Sequence, residues 1–296
     1  MPRLLTRTIP LAVLLLASAQ AAAAEVTAYG ITTAPGGVQQ LVRLDPNTPG
    51  AVSTIGATGV RLTGIDFRPA TNQLYGYDGD KLYTVSLTSG AATEVFDVAN
   101  TAGNVGFDFN PTVDRIRLVG SGGTNFRLNP MSGATLVDGG YTFAMGDVNV
   151  GRVPSFTAVA YTNSDTDPGT GTTLYGIDPT LGQLVKIDNP NGGTISTVGS
   201  LGLAAGASIT GFDIVTIGGM NTAWFTAMAS GAMTGQLYTV DLGTGAATLV
   251  GDVGTPGGLD GLALTAVPEP SSWALMASGL AGLGALSRRR RRAGAR

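Results

Sequence analysis

The chain contains neither cysteine nor histidine. Their absence excludes disulfides, a thiolate nucleophile, His-ligated zinc and a Ser-His-Asp triad. Charge is also scarce: 12% of the 296 residues are Asp, Glu, Lys or Arg. Between residues 25 and 267 the only glutamates are Glu25 and Glu94, so acid–base chemistry would fall largely to aspartate. No stretch of that region carries a sustained helical period of apolar residues, and its regular structure is expected to be strand. Glycine is abundant, with 45 residues beside a 43% apolar content. That is the composition of a turn-rich globular protein, not of a disordered one.

The two ends differ from the middle. Two arginines lie in residues 1–7, residues 9–19 are almost wholly apolar, and Ala21 to Ala24 are small residues before Glu25. These are the three regions of a secretory signal, with cleavage by signal peptidase expected after Ala24. The apolar run is too short for a membrane anchor. At the other end Pro268, Glu269 and Pro270 precede an apolar segment, 273–286, and a basic end, 288–296. These three parts in this order resemble the PEP-CTERM sorting signal of exopolysaccharide-producing bacteria. The resemblance implies processing by an exosortase, a membrane transpeptidase-like protease. The physics agrees on topology. A short apolar segment can span with its flanks snorkelling, which makes a transmembrane helix a transient anchor, and the arginines stay cytoplasmic. The expected location is the envelope or extracellular matrix of a Gram-negative bacterium, with exopolysaccharide or an envelope protein as a partner. The domains expected are thus a signal peptide (1–24), a body (25–267) and a sorting tail (268–296).

Removing the ends exposes an acidic body. Residues 25–267 hold 19 acidic and 9 basic residues, a net charge of −10. That balance argues against nucleic acid as a partner.

Within the body, four types of short segment recur. One has a Gly-apolar-Asp-apolar core: Leu62 to Phe67, Asn104 to Phe109 and Ile209 to Ile214, with weaker copies at Phe156 to Tyr161 and Leu259 to Leu264. A second contains Tyr-Gly, as at Tyr29, Tyr75 and Tyr175. A third alternates, as in Lys81 to Ser86 and Gln236 to Asp241. A fourth includes Ala51 to Gly56 and Ala247 to Gly251. Each is rich in Val, Ile, Tyr and Thr and is bounded by Gly, Pro, Asn or Asp, which is the strand-and-turn signal. Four strands recurring five times predict an all-β fold, a β-propeller of five four-stranded blades. An open sandwich or solenoid is the alternative. The phase predicts ring closure, because the chain enters at the second strand type and ends on a lone copy of the first. Residues 141–154 are a surplus that no four-stranded blade requires.

Several motifs in order, including Gly106 to Arg117, Phe126 to Pro130, Gly146 to Gly151 and Thr173 to Asp178, resemble a secreted bacterial family, domain of unknown function 4394. The resemblance implies no activity, ligand or catalytic residue.

Candidate sites are few. Asp66, Asp108 and Asp213 occupy one position in three repeats, replaced by Ala160 and Ala263 in the other two. As a carboxylate ring around a channel they would suit a carbohydrate-active hydrolase or lyase. As repeated acceptors of backbone N–H groups they would be structural, and Asn should then cost about the same, roughly 1–3 kcal/mol, at each. Repetition favours the structural role and a non-enzymatic binding or structural protein without a cofactor. Asn163, Asp165 and Asp167 offer alternate oxygen ligands that calcium would take, although a polar turn explains them as well. The tyrosines and Trp224 could stack on sugars, but their repeat positions make them core.

Overall fold

A computed structural model describes residues 25–98, 105–120, 123–156, 158–204 and 206–267, together with Gly279, Leu280 and Leu283. The predicted signal peptide with Ala24, the Pro268, Glu269 and Pro270 motif, the basic end 288–296, and all but those three residues of segment 273–286 lie outside the described residues. Among the described residues no helix is long and apolar enough to cross a membrane.

Residues 25–267 form one compact unit of five small sheets arranged in a ring, a five-bladed β-propeller. In chain order, Glu25–Thr33 (β1), Gln39–Leu44 (β2) and Val52–Ala57 (β3) open the first blade. The second holds Gly64–Arg68 (β4), Gln73–Tyr77 (β5), Lys81–Val85 (β6) and Ala92–Asp97 (β7). The third holds Val105–Asn110 (β8), Arg115–Gly120 (β9), Thr124–Leu128 (β10) and Thr135–Val137 (β11). Thr142–Phe143 (β12), Ala158–Tyr161 (β13), Leu174–Asp178 (β14), Gln183–Asn189 (β15) and Thr194–Ser200 (β16) make the fourth. The fifth is Ser208–Ile217 (β17), Met220–Met228 (β18), Thr234–Val240 (β19) and Ala247–Pro256 (β20). Gly261–Val267 (β21) then returns to the first blade and pairs antiparallel with β1, from Ile31↔Gly261 to Glu25↔Val267. The ring closes as the phase of the repeat predicts.

The strand types differ because their surroundings differ. The inner strands β4 and β13 are buried on both faces, each between the sheets of two neighbouring blades, and read as near-continuous apolar runs around one Asp or Ala. The outer strands β3 and β7 expose half or more of their residues, which suits their Ser, Thr and Glu. The core is consequently divided among five seams. Tyr75 and Tyr77 of the second blade meet Phe109 and Phe107 of the third, with ring centroids 5.3 and 6.2 Å apart. Ile177 and Leu184 of the fourth pack with Phe212 and Phe225 of the fifth. Tyr29, Tyr83 and Trp224 are likewise buried, and Tyr175 and Tyr238 pack against the core, as their repeat positions predict.

The surplus at 141–154 adds a fifth strand to the fourth blade. β12 pairs parallel with β16, and Asp147 just beyond it accepts the N–H (2.7 Å) and hydroxyl (2.8 Å) of Thr197. A two-residue strand carries no periodicity, so no sequence signal marks it.

At the rim, neighbouring blades touch backbone to backbone. Gly254 of β20 lies against the turn at Gly50 in the first blade, and a Cβ built on Gly254 would sit 2.1 Å from the Gly50 carbonyl oxygen. Gly199 of β16 meets the Thr244 carbonyl oxygen with the same 2.1 Å clearance.

Candidate functional site

Asp66, Asp108 and Asp213 sit on the inner strands β4, β8 and β17, and the ring brings them together. All three are buried, and one carboxylate oxygen of each lies within 4.8 Å of those of the other two. Each reaches forward to the next blade. Asp66 accepts the Phe109 N–H at 2.7 Å, Asp108 the Tyr161 N–H at 2.9 Å, and Asp213 the Leu264 N–H at 2.5 Å. Asp66 and Asp213 use their second oxygen for the N–H of the following residue, Phe67 and Ile214, at 2.6 Å each.

The pattern explains the two alanines. Each blade presents one inner-strand N–H: Leu264, Phe67, Phe109, Tyr161 and Ile214. Where the preceding blade carries Asp, that Asp serves it. Phe67 follows the blade of Ala263, and Ile214 follows the blade of Ala160, so Asp66 and Asp213 serve these N–H groups themselves. Asp108 has no such duty, because Asp66 already holds the Phe109 N–H. Its second oxygen has no hydrogen bond among the described residues. As a cation site the cluster therefore offers one unengaged oxygen, against the six to eight that calcium takes.

Burial raises all three carboxyls. Desolvation and then the charge of Asp213 push Asp66 well above the ordinary range; desolvation, Asp66 and Asp213 do the same to Asp108. Desolvation lifts Asp213 to about 7 against its N–H bonds. The folded protein thus holds protons that an unfolded chain, with carboxyls near 3.9, has released. Stability from this source is full below about pH 4 and is lost as pH rises through the raised values of Asp66, Asp108 and Asp213. Thermal unfolding should show a fall between pH 5 and pH 8 that shrinks in Asp108→Asn. The aspartates are also unequal, contrary to the equal costs that repeat symmetry suggests. Asn at 66 or 213 would turn an amide NH2 toward a backbone N–H, costing about 1–3 kcal/mol. Asn at 108 keeps its acceptor for Tyr161 and removes a carboxyl that burial and its two neighbours push up, so its stability should hold or rise. Equal losses at all three positions would refute this assignment.

The cavity beside the ring, lined by Gly64, Gly106, Gly211 and Gly261 among others, has a volume of about 20 Å³, the space of a single water. The loop of Asn163, Asp165 and Asp167 forms successive turns: Asp165 accepts the Asp167 N–H at 2.9 Å, Asp167 the Gly169 N–H at 2.8 Å, and Asn163 Oδ1 the Asn221 amide at 2.8 Å.

The larger opening lies elsewhere, beside the third and fourth blades. A pocket of about 380 Å³ is lined by Arg115, Arg117 and Arg127, by Asn110, Asn189 and Asn191, and by Val113, Ile116, Pro190 and Tyr161. Strand alternation puts Arg115 and Arg117 on one face of β9, and the register sets Arg127 opposite Arg117. Such a like-charge pair needs a counter-ion. Asp138 supplies it: its Oδ2 accepts from Arg117 at 2.6 Å and from Arg127 at 2.7 Å, and its Oδ1 from Arg127 at 2.8 Å. Arg117 is 2% exposed and also donates to Asn125 (2.7 Å), Asn191 (2.8 Å) and Tyr161 (3.3 Å). Arg115 donates only to the Val113 and Asp114 carbonyls and has no ion pair among the described residues. Sequence reasoning passed over this cluster. Its signal was there: three of the nine basic residues of an acidic body fall between 115 and 127.

The PEP-CTERM protein-sorting motif matches residues 266–292, which supports export by exosortase-type sorting and association with the envelope or extracellular space. Among curated proteins no relative matches. Solved structures with similar backbones include a structural-genomics protein of unknown function from Bacteroides thetaiotaomicron VPI-5482, at 15% identity and TM-score 0.44, covering 67% of this chain and 52% of that one. The hydrazine synthase of Kuenenia stuttgartiensis is 11% identical at TM-score 0.40, covering 65% and 48%. A protein from Lactobacillus plantarum is 10% identical at TM-score 0.44, covering 82% and 99%. The chain spans about half the length of the first two. The family described as Domain of unknown function (DUF4394) matches residues 40–263, and the chain belongs to it.

Proposed function

We propose that residues 25–267 act as a non-enzymatic binding or structural module at the envelope or in the exopolysaccharide matrix of a Gram-negative bacterium. The C-terminal segment serves as a transient membrane anchor until the exosortase acts. One observation carries the non-enzymatic part: the aspartates that a hydrolase or lyase would need use five of their six oxygens on backbone N–H groups. A general acid or base needs an oxygen within reach of substrate, and the adjoining cavity of about 20 Å³ has no room for a sugar.

The test is retention without turnover. The purified chain should be held by exopolysaccharide from its own envelope and release no shortened product; product formation abolished by Asp108→Asn would establish the enzyme instead. The sorting half is tested separately. Replacing Pro268, Glu269 and Pro270 by alanine should hold the chain in the membrane fraction and leave the melting of the body unchanged. Normal release of that variant, followed by fractionation, would remove the motif from the sorting step.

A further inference from the structure

The geometry points to the arginine pocket beside the third and fourth blades as a binding site for a carboxylate-bearing sugar of hexuronate size. This deepens the binding reading above and rests on it.

Three guanidinium groups line the pocket and one carboxylate, Asp138, answers them, a formal surplus of +2 in a body whose net charge is −10. The neighbouring Asp114 is already paired with Arg68. Among the described residues most of the Arg115 fork is free, and a planar fork matches a carboxylate with two parallel hydrogen bonds.

The hydrogen-bonding groups of the lining point the same way. The amide oxygens of three lining asparagines are engaged: Asn110 Oδ1 accepts the Thr112 and Val113 N–H groups, Asn189 Oδ1 the Gly192 N–H, and Asn191 Oδ1 the Arg117 guanidinium. These bonds fix which end of each amide is oxygen. The NH2 groups of Asn110, Asn189 and Asn191 have no acceptor among the described residues. The lining thus has its acceptors occupied and its donors to spare, which suits an acceptor-rich anion.

Apolar lining selects a sugar acid over a bare inorganic anion. Val113 and Pro190 share the lining with the arginines, and such apolar surface favours the C–H face of a ring. The volume of about 380 Å³ sits at the small end of the roughly 300–1,000 Å³ common for ligand pockets.

Calorimetric titration of the full chain tests the assignment with galacturonate, glucose, inorganic phosphate and an oligogalacturonate. Galacturonate should bind, with glucose and phosphate at least tenfold weaker. Arg115→Ala should lower galacturonate affinity at least tenfold with an unchanged melting curve, since among the described residues Arg115 ties only to nearby carbonyls. Arg115→Lys, which keeps charge and loses the fork, should fall between. An oligogalacturonate that binds as well as the monosaccharide identifies a polysaccharide as the source; one that fails identifies a free sugar acid, and either keeps the carboxylate assignment. No heat with galacturonate, equal binding of glucose, tighter binding of phosphate, or an unaffected Arg115→Ala would each overturn it. Release of shortened oligogalacturonate would leave the pocket standing and overturn the non-enzymatic reading.

Discussion

Deleting residues 259–267 is expected to abolish cooperative unfolding of the body. The segment contributes Leu259, Leu262, Ala263 and Leu264, all buried, to the seams on both sides of the first blade. Burying one leucine contributes about 1.5–3 kcal/mol, so the three leucines together approach the roughly 5–15 kcal/mol that holds a typical domain folded. The deletion also strips Asp213 of the Leu264 N–H and leaves β1 with an unpaired apolar edge, a template for aggregation. Urea unfolding followed by circular dichroism, with size-exclusion chromatography, reads both effects. A monomeric variant with the parent's midpoint would show that the ring does not depend on its closing strand.

The second large effect concerns a single methyl group. Gly254→Ala should cost about 3 kcal/mol, the upper end for overpacking, because the clashing atom 2.1 Å away is backbone and cannot swing aside. Gly50→Ala, at the partner position of the same contact, should be nearly neutral, since its Cβ would find nothing nearer than 3.8 Å. Comparing the two denaturation midpoints isolates the blade–blade approach from the general preference of loops for glycine. Equal effects would mean that the rim contact yields freely.

How much of this was legible beforehand depends on the range of the cause. Strand type is local: Lys81 to Val85 sets Leu82 into one seam and Tyr83 and Val85 into the other, and its run of Leu, Tyr, Thr and Val between turns shows in the sequence. Closure was legible because the fragments at Val26 to Ile31 and Leu259 to Ala266 complete one repeat between them. The meeting of Asp66, Asp108 and Asp213 was legible as a repeat position. Their partners were not, since each carboxylate reaches a backbone N–H some fifty residues on, and no pattern along the chain records that reach. The arginine pocket was hidden for a related reason. Arg117 and Asn191 are 74 residues apart and come together only when the third and fourth blades pack. β12 left no trace because parallel pairing of two residues needs no alternation.

The aspartate ring also bears on why a repeat protein keeps imperfect repeats. Five inward N–H groups must be met, and a carboxylate has two oxygens. Two carboxylates would supply four, one short; three supply six and leave one over, at Asp108. Three is the smallest sufficient number. A fourth or fifth would add another buried carboxyl to desolvate and satisfy nothing further. The constraint therefore falls on the sum around the ring and not on any one copy. Ala160 and Ala263 are positions at which no aspartate is needed, and a new aspartate at either would make one of the present three dispensable.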